Sequence, residues 1–328
     1  MRIVLSVPGH LKTVPMSDYT YRTLTSMGHE VSLHNFGRDN AMEALLKRVS
    51  PCGFASHKNE EMMRLIRAFR PDVFLTIFGF GHERAVIERI GSLRIPTICW
   101  WLNDPFQLER SLINASAYDF YFTNAKRSVD AYREAGLKHV YHLPVGCYPK
   151  THMRLPDLVC KYDVCFAGDW NPIRERVLLE IAKDARLAIY GPWKKKLNAT
   201  SVLYPLVVKD GFFSPTEMVR FFNESKIVLN IHSWFGRWDY GTNPRVFEAN
   251  GCGAFQLCDW KEEIPELYKA EQEIALYHTT DELKGKLLYF LKKDDERTEI
   301  ASRGYVRTHS EHTYRLRLEQ LFALCRLS

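Results

Sequence analysis

The chain has 328 residues, 46% of them hydrophobic, and a formal net charge of +6 at neutral pH. That length and apolar content suit two domains, each with its own core, and exclude a disordered chain. The mild positive charge fits an anionic small molecule, an acidic membrane surface or a nucleic acid equally well, so it selects none of them.

In chain order, the apolar run Arg2 to Val7 predicts a strand, Ser17 to Met27 a helix and Val31 to Leu33 a second strand. A glycine-containing turn after a first strand opens a doubly wound domain, but G-x-G-x-x-G is missing, which disfavours a dehydrogenase. Helical spacing follows over Glu60 to Phe69, a buried strand over Asp72 to Phe78, a helix over His82 to Ile90, and a strand over Ile95 to Trp101 that ends in Asn103-Asp104-Pro105. Tyr118 to Thr123, Ser128 to Glu134 and Val140 to Leu143 then read as strand, helix and strand. The alternation argues for a parallel sheet covered on both faces. Periodicity breaks from Pro144 to Asp163, which marks a linker.

The second half restarts with a strand at Asp163, followed by Gly168 and a helix opening at Asn171-Pro172. Arg174 and Arg176 lie in its first turns, where free backbone amides favour anions; the plain alternative is solvated surface charge. Ala188 to Tyr190 is a strand leading to Gly191-Pro192-Trp193. Ser214-Pro215-Thr216-Glu217 reads as a capping box, Lys226 to His232 as a buried strand delivering Ser233, and Thr279 to Glu282 as another helix start. Glu311 to Leu324 has helical spacing.

The stretch Asp239 to Leu257 gathers the most chemistry. Asn243 suits an N-cap, Pro244 the first helical position, and Gly251 and Gly253 a stop about two turns later. Arg245 and Glu248 stand three apart and share a helix face, so a cation for phosphate and a carboxylate for a sugar diol lie side by side. A capped helix with a local ion pair is the plain reading of the same residues. The cysteines show neither a C-x-x-C pair nor a Cys/His set at zinc spacing, so they are expected to be reduced packing residues. The opening MRIVLSVPGH is too short for a signal-peptide core, and no apolar run reaches the roughly 20 residues of a membrane span. A soluble cytoplasmic protein is expected, with peripheral membrane contact left open and no specific nucleic acid.

Asn-Pro-Arg-x-Phe-Glu-Ala followed by Gly-Cys-Gly resembles the donor-binding segment of GT-B glycosyltransferases, most closely the CgeB-type (spore maturation protein) branch. The resemblance covers most of the chain, with its clearest parts at Tyr162 to Leu179, Gly211 to Leu257 and the closing HTYRLRLEQL. Related retaining families carry two glutamates eight apart; the second matches Glu248, whereas the first position holds Tyr240. The resemblance implies two Rossmann-like domains facing across a cleft: residues 1–150 on the acceptor side, 151–310 for the donor, and 311–328 as a helix crossing back to the first domain. It further implies transfer from a nucleotide-diphosphate sugar, with a UDP-sugar preferred, to a glycan, protein, lipid or small-molecule acceptor. The alternative is a non-catalytic nucleotide or sugar binder on a degenerate scaffold, motivated by Tyr240.

On that reading Arg245, Arg174 and Arg176 meet the diphosphate, Glu248 the ribose, and Gly241, Thr242, Asn243, Gly168, Gly191 and Ser233 the donor. No Asp-x-Asp follows a buried strand, so no metal and no cofactor beyond the co-substrate are expected. Asp104 and His10 are the candidate bases if the reaction inverts, and a retaining outcome needs neither. One of Trp100 and Trp101 could stack on a sugar ring.

Overall fold

The computed structural model describes residues 1–9, 16–37 and 40–327. The chain divides into two compact units, the first running to Pro144 and resuming at Tyr314, the second spanning Val145–Thr313.

The first unit alternates strand and helix: β1 (Arg2–Val7), α1 (Met16–Ser26), β2 (Glu30–Asn35), α2 (Ala41–Val49), α3 (Pro51–Phe69), β3 (Val73–Ile77), α4 (Arg84–Ser92), β4 (Thr97–Trp101), α5 (Leu108–Ala115), β5 (Phe120–Thr123), α6 (Ser128–Glu134) and β6 (Val140–His142). All strand pairs are parallel in the order β2-β1-β3-β4-β5-β6. β3 and β4 are buried at every position, which is why they read as continuous apolar runs and not as alternating ones.

The second unit contains β7 (Tyr162–Ala167), α7 (Pro172–Ile181), β8 (Leu187–Gly191), β9 (Val207–Asp210), α8 (Pro215–Asn223), β10 (Ser225–Asn230), α9 (Arg245–Gly251), β11 (Gln256–Asp259), α10 (Ile264–Leu267), β12 (Ala275–Tyr277), α11 (Thr280–Phe290) and α12 (Asp294–Glu311). Its sheet, also parallel, has the order β12-β11-β10-β7-β8-β9. The two-residue period of β7 sorts its side chains between two cores. Val164 and Phe166 join α7, α11 and α12, whereas Cys165 and Ala167 join Met218, Val219 and Phe222 of α8 and Ala249 of α9. In this unit the strand order reverses between β7 and β10, and ligands of such sheets bind beyond the carboxyl ends at that point.

The last helix, α13 (Tyr314–Leu324), belongs to the first unit and packs on α1, with Tyr314 edge-on to Tyr19 at 5.5 Å. The helical run expected over Glu311 to Leu324 is α13, which starts three residues later, at Tyr314, after α12 ends at Glu311. The Ser214 capping box forms in both directions. Among the described residues no helix is long and apolar enough to cross a membrane.

Candidate active site

Two arginines straddle the reversal point of the second sheet. Arg245, the first residue of α9, donates from Nε to the carbonyl of Ala167 at the end of β7 (3.1 Å). Arg174, in the first turn of α7, donates from Nε to the carbonyl of Ile231 just past β10 (3.0 Å) and from Nη1 to that of Asp169 (2.9 Å). Each guanidinium is thereby fixed across the carboxyl end of one of the two strands. Burial lowers Arg174 to about 10, and the neighbouring charge of Arg245 pushes in the same direction. It remains a cation at neutral pH. Two adjacent guanidinium groups in a half-buried place repel each other, and an anion between them relieves the repulsion.

Glu248, one turn along α9, pairs with Nη1 of Arg245 and is 2% exposed. Burial raises its pKa, and Arg245 opposes that rise. Nη2 of Arg245 has no protein partner among the described residues, so it is available to a ligand.

The loop before α9 is anchored from below by a wholly buried ionic network. Asp259, at the end of β11, accepts from the backbone N–H of His232 (2.9 Å) and from His232 Nδ1 (2.6 Å), and its other oxygen pairs with Lys261 (2.7 Å). His232 Nε2 accepts the N–H of Asn243 (3.1 Å), which places the imidazole proton on Nδ1. Burial favours the neutral imidazole and lowers its pKa. The Asp259 carboxyl, which burial would raise, is held at about 2 by His232 and Lys261. Asn243 and Asn230 exchange amide hydrogen bonds (2.8 and 3.1 Å), and the N–H of Gly241 is held by both carboxylate oxygens of Glu263 (2.8 and 2.9 Å).

Residues 174–323 match the family model described as glycosyl transferase-like. That match covers most of the second unit. The spore protein CgeB of Bacillus subtilis (strain 168) is 24% identical over 276 residues, covering 79% of this chain and 84% of that protein. A sucrose-phosphate synthase from Thermosynechococcus elongatus superposes with a TM-score of 0.74 at 12% identity, covering 99% of this chain and 98% of that one. HepE from Anabaena, solved with UDP, superposes with a TM-score of 0.69 at 12% identity, covering 99% and 100%. The two doubly wound units are the GT-B architecture of these enzymes.

The structure brings together some residues expected at the donor site and leaves others apart. Arg245, Glu248, Asn243, Gly241 and Arg174 meet around the ends of β7 and β10. Thr242 is buried in the same loop, and Ser233 is half-buried directly after His232. Gly168 and Gly191 form an adjoining corner where a Cβ on Gly191 would lie 2.2 Å from the Gly168 carbonyl oxygen, so a side chain there would force the two strand ends apart. Trp193 seals this corner as a buried core residue donating to the Gly168 carbonyl (2.8 Å).

Three expectations need correction. Asn243 does not cap α9, because its side chain is committed to Asn230 and the cap position falls to Pro244. Arg176 is exposed and lies two residues from Arg174, hence on another helix face. Asp104 is fully buried in the first unit, accepting from Trp101 (3.0 Å), Thr123 (2.6 Å) and Tyr132 (2.9 Å), so its oxygens serve packing and not an incoming hydroxyl. His10 lies outside the described residues. Trp100 is wholly buried and gives its N–H to the Leu143 carbonyl, so it offers no stacking face.

Sequence reasoning missed His232, Asp259, Lys261 and Glu263. The only available signal was charge in apolar surroundings, at the ends of two strands. His232, Cys258 and Asp259 have atoms close enough together to hold a cation, but the Lys261 ammonium already occupies the open side of Asp259.

Proposed function

We propose that the chain transfers a glycosyl unit from a UDP-sugar, without a metal and with retention at the anomeric carbon. The observation that carries this is the pair of guanidinium groups fixed across the ends of β7 and β10. The HepE structures with UDP and with UDP-glucose support the choice of donor.

Arg245 and Arg174 meet the diphosphate and stabilise the charge that grows on it as the bond to the sugar breaks. Such preorganised donors contribute about 3–4 kcal/mol each to comparable steps. The acceptor oxygen bonds to the anomeric carbon while the carbon–oxygen bond to the diphosphate breaks; the acceptor proton passes to the departing diphosphate oxygen. No positioned base is needed on this route, and the burial of Asp104 favours it. Glu248 accepts from the ribose hydroxyls. Lys261 holds Asp259, and through it His232 and Asn243, in place beneath the loop before α9.

The test is release of UDP from a panel of UDP-sugars in EDTA, with GDP- and ADP-sugars alongside. Turnover of at least one UDP-sugar supports the proposal. No release from any donor, with or without added manganese or magnesium, contradicts it.

A further inference from the structure

The first unit carries a cavity of about 210 Å³ that none of the donor residues touches. It lies under the loop that follows β3, and β3 adjoins β1 where the strand order of this sheet reverses. The loop has an unusual backbone: Phe78 has φ +66, Gly79 +67 and Gly81 +81. A bulky side chain seldom takes that left-handed conformation, and such departures gather where a ligand is held. Neither glycine admits a side chain, since a Cβ would fall 2.8 Å from the Tyr118 hydroxyl at Gly79 and 2.2 Å from the Phe36 ring at Gly81.

The wall is aromatic. Phe80 stacks on Phe78 (5.2 Å) and meets Trp101 edge-on (5.0 Å), while the exposed Arg110 places its guanidinium 4.4 Å over the Phe80 ring. Among the described residues no carboxylate pairs with Arg110. The floor is polar but uncharged. His82 bonds through Nε2 to Ser6 (2.9 Å) and through Nδ1 to the Tyr118 hydroxyl (2.9 Å), and burial holds the imidazole neutral, down to about 3. Asn114 sits at the side.

We propose that this pocket binds an anionic monosaccharide unit, its apolar ring face against Phe80 and Trp101 and its carboxylate or phosphate on Arg110. The size agrees: a cavity of roughly 150 Å³ takes a benzene ring, and this one is larger, with the polar side chains of Ser111, Asn114 and Tyr118 in its wall. That the bound sugar is the acceptor rests on the glycosyl-transfer reading above; the pocket itself does not.

Calorimetric titration of the full chain with glucuronate, glucose 6-phosphate, glucose, benzoate and inorganic phosphate tests the proposal, with UDP titrated into the same samples. Glucuronate, glucose 6-phosphate or both should bind, at least tenfold more weakly in Arg110→Ala and in Ile113→Glu, which puts a negative charge at the exposed mouth. Glucose should bind more weakly and respond to neither change, and UDP affinity should be the same in all three proteins. Comparing the two anionic sugars distinguishes a carboxylate from a phosphate ligand. Absence of binding by both, equal affinity in wild type and both variants, or equal binding of benzoate or phosphate overturns the proposal. Loss of UDP binding alone would remove the donor reading and leave the pocket standing.

Discussion

The ammonium of Lys261 lies 2.7 Å from a carboxylate oxygen of Asp259, and neither side chain is exposed to solvent. Two charges buried this deeply stabilise a fold only while both partners are present. Asp259→Asn should therefore cost about 3–5 kcal/mol of stability by leaving the lysine uncompensated. The acid dependence has a definite sign. The folded pKa near 2 lies below the unfolded value of about 3.9, so this stabilisation is complete above pH ~4 and lost as pH falls toward 2. Denaturant titrations between pH 2 and 5 on both proteins check this: the wild type should lose stability through that window and the variant should show a shallower loss.

Asp104 should behave in the opposite way. Burial raises its carboxyl to about 6, although Thr123, Tyr132 and Trp101 pull it down. A folded pKa above the unfolded one means stability that is full below pH ~4 and lost as pH rises through 6, a change of about 2–3 kcal/mol. Asp104→Asn removes this titration, so its stability should fall less than that of the wild type between pH 4 and 6. Turnover should stay within tenfold of wild type, whereas loss of a general base would cost roughly 10²–10⁴-fold.

The regular parts of both sheets were legible because fully buried strands such as β3 and β4 are short apolar runs bounded by turn residues. Asn171-Pro172 and the Ser214 box announced α7 and α8 by the chemistry of their caps. α12 was not legible. Its sequence DDERTEIASRGYVRTHSE has few apolar residues, and Gly304 reads as a break, yet that glycine is where the Glu273 carbonyl approaches the helix: a Cβ there would lie 2.3 Å from its oxygen. In the site, Arg245 and Glu248 were readable because helix spacing alone brings them together. The His232–Asp259–Lys261 network joins the ends of two strands 27 residues apart, so only the sheet register reveals it. Neither alternation nor composition marks the Phe78 to His82 loop, whose character lies in backbone angles.

Chelation should leave catalysis intact. If Arg245 and Arg174 meet the diphosphate, UDP release in EDTA should match release in magnesium within about twofold. Loss of turnover in EDTA, restored by manganese or magnesium, would assign that charge to a cation.

The two arginines of α7 should differ. Arg174→Ala should weaken UDP binding at least tenfold, in line with the ~1.5–3 kcal/mol carried by a hydrogen bond to a charged group. Arg176→Ala, at an exposed position on another helix face, should leave the affinity unchanged. Equal losses would mean that α7 contributes only diffuse positive charge.

Calorimetric titration of UDP and of uridine into wild type, Arg245→Lys and Glu248→Gln, with melting temperatures alongside, tests the donor site most directly. Arg245→Lys keeps the charge but loses the planar fork, so it should weaken UDP more than uridine. Glu248→Gln should weaken both by about 1–3 kcal/mol through the ribose hydroxyls. UDP affinity unchanged in both variants, with only a small shift in melting temperature, would reduce Arg245 and Glu248 to a local ion pair and contradict the account.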